Sequence, residues 1–123
     1  MKEGRQITVL IVDDEEMIRD AIAFDFNRKG FKILSAENGN QAFEFIQNEK
    51  VDLVISDLQM PVCDGVALLR KTRDALSTVP FIFISGGKVL TESECTKLGA
   101  QKFMLKPFDY KDLHNSVLEI LGL

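Results

Sequence analysis

The sequence predicts an α/β fold: a five-stranded parallel sheet with helices on both faces. Three observations carry this. Short apolar, β-branched runs alternate five times with segments whose apolar residues recur at helical spacing. Gly, Asn and Asp mark the junctions between them. No repeat, linker or low-complexity stretch interrupts the alternation, which implies right-handed crossovers and a sheet covered on both sides.

The elements follow in order. Residues 7–12, "ITVLIV", are apolar without a break, as a buried parallel strand requires. Residues 15–29 predict a helix, because Ile18, Ile22 and Phe26 recur every fourth residue and Gly30 stops it. Residues 31–36 predict the second strand. Asn38-Gly39-Asn40 is a turn, and a helix over about residues 41–48 turns Ala42, Phe43 and Ile46 inward. Residues 52–56, "DLVIS", predict the third strand. Asp64-Gly65 opens a helix with Leu68 and Leu69 inward. Residues 79–85, "VPFIFIS", predict the fourth strand, ended by Gly86-Gly87. A short helix over about residues 91–98 stops at Gly99, and residues 102–105 form the fifth strand. Asp109 caps a last helix with Leu113, Val117 and Ile120 inward, and Asp112 stands three residues after the cap.

Composition narrows the function. The 123 residues suit one domain, 1–123, with no output domain in this chain. With 46% hydrophobic and 28% charged residues, the chain is an ordinary globular composition and not a disordered one. No apolar run reaches the roughly 18 residues needed to span a bilayer, and residues 1–6 lack the apolar stretch of a signal peptide. A cytoplasmic location is expected, with no membrane insertion. The net charge of −4 offers no basic field for nucleic acid. Cys63 and Cys95 match no zinc or redox spacing.

In open parallel sheets ligands bind at the carboxyl ends of the strands. Here those ends carry Asp13 and Asp14, then Asp57, then Ser85, Gly86 and Gly87, then Lys106 and Pro107. If the first and third strands are neighbours, their ends lie about 5 Å apart. Three carboxylates that close call for a cation, and hard oxygen ligands suit Mg²⁺. A lysine beyond them can neutralise an anion, and a phosphoryl group fits. A carboxylate at the centre can then act as nucleophile and form an acyl phosphate.

The segments "VLIVDDE", "NGNQAF", "DLVISDLQMPVCDG", "FIFISGG" and "LGAQKFMLKPF" resemble the receiver domain of two-component response regulators, a CheY-like family, over nearly the whole chain. The resemblance implies a flavodoxin-like strand order, 2-1-3-4-5. It implies that Asp57 accepts a phosphoryl group from a phosphohistidine on a sensor histidine kinase or a histidine phosphotransfer protein. Asp14 and Asp57 would bind Mg²⁺ directly, Asp13 through water, and the backbone carbonyl of Gln59 would complete the protein ligands. Ser85 would be the switch hydroxyl, Lys106 the phosphate partner and Phe103 the aromatic switch. Pro107 would follow a cis peptide bond. Output would be by protein contact, through the face made by the fourth helix, fifth strand and fifth helix, and the resemblance admits a phosphorylation-dependent homodimer. Gln59 and Gly87 occupy positions that tune acyl-phosphate lifetime in the family, and neither supplies an acid to activate water.

Other readings compete with this one. A Mg²⁺-dependent phosphohydrolase with an aspartyl nucleophile usually has Asp-x-Asp after its first strand, whereas Asp13 and Asp14 are adjacent. A receiver-like module that is never phosphorylated has no need of all five of Asp13, Asp14, Asp57, Ser85 and Lys106.

Several residues lie outside the pattern. Glu15 and Glu16 are expected to be first-turn acids that favour the helix N-terminus. His114, the one histidine, is expected at the surface or its boundary. Cys63 is expected to pack as a small apolar group. Phe24 and Phe45 fall between the inward stripes, and Asp25 takes a position usually apolar in the family. Two readings of the first helix follow: a local re-rotation, or a partner-binding patch of Phe24 with Met17.

Overall fold

The computed structural model describes residues 6–87 and 90–123. Residues 1–5, part of the segment read above for a signal peptide, and residues 88–89, in the loop after the fourth strand, lie outside them. The chain alternates β1 (Thr8–Val12), α1 (Glu16–Arg28), β2 (Lys32–Ala36), α2 (Gly39–Asn48), β3 (Leu53–Asp57), α3 (Gly65–Asp74), β4 (Phe81–Ser85), α4 (Glu92–Leu98), β5 (Lys102–Leu105) and α5 (Tyr110–Leu121). The strands form one parallel sheet in the order β2-β1-β3-β4-β5, as the resemblance implied.

The period-two geometry of a strand sorts the apolar runs into two cores. Leu10, Val12, Val54, Phe81 and Phe83 face one way and pack with Ala42, Leu68, Leu69 and Cys95 from α2, α3 and α4. Val9, Ile11, Leu53, Ile55, Ile82 and Ile84 face the other way and pack with Ile22 and Phe26 of α1 and Leu113 and Val117 of α5. A continuous apolar run is therefore two alternating faces, both covered.

Local chemistry sets the helix ends. The side chains of Asn38, Asp64, Thr91 and Asp109 each accept a backbone N–H in the first turn of α2, α3, α4 and α5. The reciprocal capping box is on α4, where Glu94 also accepts from the Thr91 N–H. α1 starts differently: its cap residue is Glu15, whose side chain makes no capping bond.

The off-pattern residues separate. Ile22 and Phe26 are buried, so α1 is not re-rotated. Phe24 and Met17 are exposed, and the Arg28 guanidinium lies 5.3 Å from the centre of the Phe24 ring. Asp25 pairs with Arg28 at 3.0 Å and Lys29 at 2.9 Å. Phe45 is a correction: it is half-buried against the core on the α2 side, along with Phe43 and Ile46. Phe45 stands three residues after the buried Ala42 and so shares the side of α2 that packs on this core.

His114 is half-buried, with its ring edge-on to Phe26 and Phe31 at 5.8 Å each. Burial pulls its pKa below the ordinary imidazole value, the Lys29 charge adds to this, and Asp25 opposes it. A depressed folded-state pKa gives stability that is present above the ordinary value and lost as pH falls through the folded one. Urea midpoints at pH 7.5 and 5.5 should therefore show His114→Phe gaining on the parent protein at the lower pH. A gap that stays constant would contradict the assignment.

Candidate functional site

Register brings the site together. Val12 pairs with Ser56, so Asp13 and Asp57 stand at the same level on adjacent strands. Asp57 pairs with Ile84 and Ser85 with Leu105, so Ser85 and Lys106 follow one step further along. Residues 93 positions apart in sequence thus meet because parallel strands all end on one edge.

Asp57 is the last residue of β3 and is buried. Its Oδ2 accepts from the Lys106 ammonium at 3.2 Å, and its Oδ1 accepts from the Gln59 N–H at 3.3 Å. Asp13 is fully buried. Its Oδ1 accepts the Glu15 N–H at 2.9 Å, and its Oδ2 faces the Lys106 ammonium at 2.9 Å without the alignment of a hydrogen bond. Burial raises the pKa of Asp13 above the ordinary carboxylate value; the bond from Glu15 and the contact with Lys106 lower it, and the Asp57 charge raises it further. Burial pulls the Lys106 pKa down, but the contact with Asp13 and the charges of Asp13 and Asp57 outweigh this and hold the ammonium protonated well above its ordinary range.

Carboxylate oxygens of Asp13, Asp14, Glu15 and Asp57 lie within 4.8 Å of one another. Glu15 is the member that sequence reasoning missed. It was expected in the first turn of the helix beside Glu16, but it caps α1 with its backbone, and its Oε1 turns back to accept from Lys106 at 3.3 Å. Arg19 was also missed: its Nη1 donates to the Asp13 carbonyl at 2.7 Å, fastening the turn that aims the acids. No pattern marks an arginine for that task, since its target is a backbone oxygen.

Ser85 is buried beside the cluster. Its hydroxyl donates to the Gly87 carbonyl at 2.9 Å and accepts the Gly87 N–H at 3.2 Å, so it is held within its own loop. The Lys106–Pro107 bond is cis. Gly65 is required by packing: a Cβ there would lie 2.5 Å from the Asp57 carbonyl oxygen and 3.1 Å from the Phe83 ring. Among the described residues a Cβ at Gly86 would meet only Lys106 Cδ, at 3.8 Å, an ordinary contact. Phe103 is half-buried on β5, packed against the core beneath α4. Cys63 is buried, and burial pushes its thiol pKa up, as expected of an inert packing residue.

The donor set fits a hard divalent cation. All four acidic residues offer oxygen, two of them are exposed at the rim, and the fully buried Asp13 holds an Oδ2 that accepts no hydrogen bond. Among the described residues one ammonium pairs with this cluster, and it does not balance four carboxylates.

The sequence matches the response regulator receiver domain family over residues 9–118. The chain belongs to this family. Receiver domains of this kind are parts of two-component systems. Sporulation initiation phosphotransferase F of Bacillus subtilis is 32% identical over 116 residues, 94% of each chain. Transcriptional regulatory protein FixJ of Rhizobium meliloti is 37% identical over 103 residues, covering 83% of this chain and 50% of FixJ. This receiver domain thus spans nearly all of the first relative and about half of the second. The solved receiver domain of the Francisella response regulator 1452 superposes with a TM-score of 0.89 at 28% identity, covering 95% of this chain and 98% of that one. Among the described residues no helix is long and apolar enough to cross a membrane.

Proposed function

We propose that this receiver domain takes a phosphoryl group onto Asp57 from a phosphohistidine of a sensor histidine kinase or histidine phosphotransfer protein. The observation that carries the reading is Asp57 itself: a buried carboxylate 3.2 Å from Lys106, at the centre of an acidic cluster on the sheet edge. Asp13, Asp14, Asp57 and the Gln59 carbonyl are the residues that would hold Mg²⁺. When bound, the ion supplies positive charge that offsets the phosphoryl oxygens.

The chain's own groups do the rest. An oxygen of Asp57 attacks phosphorus, and the donor nitrogen leaves with the electron pair of the broken P–N bond. The Lys106 ammonium, already poised between Asp13 and Asp57, neutralises one phosphoryl oxygen. Ser85 gives up its bond to the Gly87 carbonyl and donates to another. The loop after β4 follows, and Phe103 turns inward into the vacated space. Those shifts change the populations of the α4–β5–α5 face, which partners bind differently in the two states. The domain catalyses its own phosphorylation and hydrolysis and acts on no separate substrate. It works in the cytoplasm by protein contact, with no nucleic acid or membrane bound, and a phosphorylation-dependent homodimer is one form of output.

Incubation with a small phosphodonor and Mg²⁺ should add one phosphoryl group by intact mass, and Asp57→Asn should abolish the addition. Undiminished labelling of that variant would sink the assignment. Turnover of an added phosphomonoester would favour a phosphohydrolase instead.

A further inference from the structure

Glu15 stands apart from the residues the proposed reaction uses. Asp13 and Asp57 are buried beneath Lys106, whereas the Glu15 side chain is 61% exposed and reaches the same ammonium at 3.3 Å from the solvent side. Its carboxylate joins the three aspartates within 4.8 Å. A phosphorus atom attacked by Asp57 must therefore lie near the Glu15 charge. That charge also competes with the incoming phosphoryl oxygens for Lys106.

We propose that Glu15 is a charge gate over Asp57 that selects among phosphodonors, disfavouring small free anionic ones such as acyl phosphates. The inference rests on Asp57 being the acceptor. Repulsion and competition for Lys106 both grow with the charge of the donor. A phosphohistidine on a protein surface brings contact energy of its own that offsets the repulsion, as a free acyl phosphate does not. The gate thus keeps the acceptor responsive to docked donors and resistant to metabolic ones. It leaves the chemistry unchanged. The Asp57 oxygen forms the O–P bond while the bond from phosphorus to the donor breaks and its electron pair leaves with the donor. Acetate departs from acetyl phosphate, and ammonia departs from phosphoramidate, whose nitrogen is already protonated.

The test measures Asp57 labelling rates with dianionic acetyl phosphate and monoanionic phosphoramidate at saturating Mg²⁺. It compares the parent protein, Glu15→Gln and Glu16→Gln. Glu16 carries the same charge one residue further along, in the first turn of α1, and serves as the control. Glu15→Gln should speed labelling about three- to tenfold with acetyl phosphate and about twofold with phosphoramidate. The change in donor ratio should shrink in roughly half-molar salt. Glu16→Gln should keep the parent's ratio. An unchanged or lower acetyl phosphate preference in Glu15→Gln overturns the gate, as does an equal shift in Glu16→Gln. If neither donor labels Asp57 in any of the proteins, the acceptor reading falls and the gate with it.

Discussion

Lys106→Met should slow phosphorylation of Asp57 by about a hundredfold, the scale seen when one preorganised charge-stabilising donor is removed. The same substitution should tighten Mg²⁺ binding. The two effects have opposite signs because Lys106 has two jobs in two states. Without a phosphoryl group it is, among the described residues, the cation in contact with Asp13, Asp57 and Glu15 of the four-carboxylate cluster. Removing it leaves the acids uncompensated, so a divalent ion gains more by entering. During transfer the ammonium is needed by the phosphoryl oxygens, and methionine supplies no charge there. Its similar length keeps the packing of the aliphatic stem. Rates from intact mass, together with a Mg²⁺ titration by calorimetry, separate the effects. Loss of both phosphorylation and Mg²⁺ binding would indicate that the site had collapsed.

What the residues disclosed in advance depended on the range of the interaction. That helices cover both faces of the sheet was readable because unbroken apolar runs and helical spacing are local signals; the sorting of those runs into two cores came from the structure. Helix starts at Asp64 and Asp109 were likewise readable, since a cap is a contact over two or three residues. Asn38, by contrast, reads as part of a turn and Thr91 as the first helical residue, and both are caps. The strand order was not local, and it came from resemblance. Once the order is known, register places Asp13, Asp57, Ser85 and Lys106 together with no further information. Glu15 was hidden by a different cause. Cap and first-turn positions both favour acids, and only the backbone geometry tells whether a side chain faces the helix or turns back over the sheet edge. Val62 was hidden likewise: its φ of 72° is unfavourable for a β-branched residue, and nothing around "MPVCDG" announces it.

Asp57→Asn should make the metal-free protein more stable than its parent by about 1–2 kcal/mol at neutral pH, a fraction of the unscreened repulsion among carboxylates this close. The substitution removes one hydrogen-bonded contact with Lys106, but it also removes repulsion with Asp13, Asp14 and Glu15. The pKa of Asp13 is raised first by burial and, to a lesser extent, by the Asp57 charge that the substitution removes. A carboxyl whose folded pKa is raised gives stability that is full below its ordinary value and is lost as pH rises through the folded one. Ionisation of Asp13 therefore costs the fold free energy at neutral pH. The advantage of Asp57→Asn should narrow as pH falls toward 4. It should also narrow in Mg²⁺, because an ion that binds only the folded parent stabilises it by about 1.4 kcal/mol at ten times its dissociation constant. Urea denaturation with and without Mg²⁺ at the two pH values tests this. A variant less stable than its parent in every condition would mean that the lysine contact outweighs the crowding. In that case Lys106 would offset the acids it touches, and the cluster would not be an electrostatic cost maintained for a cation.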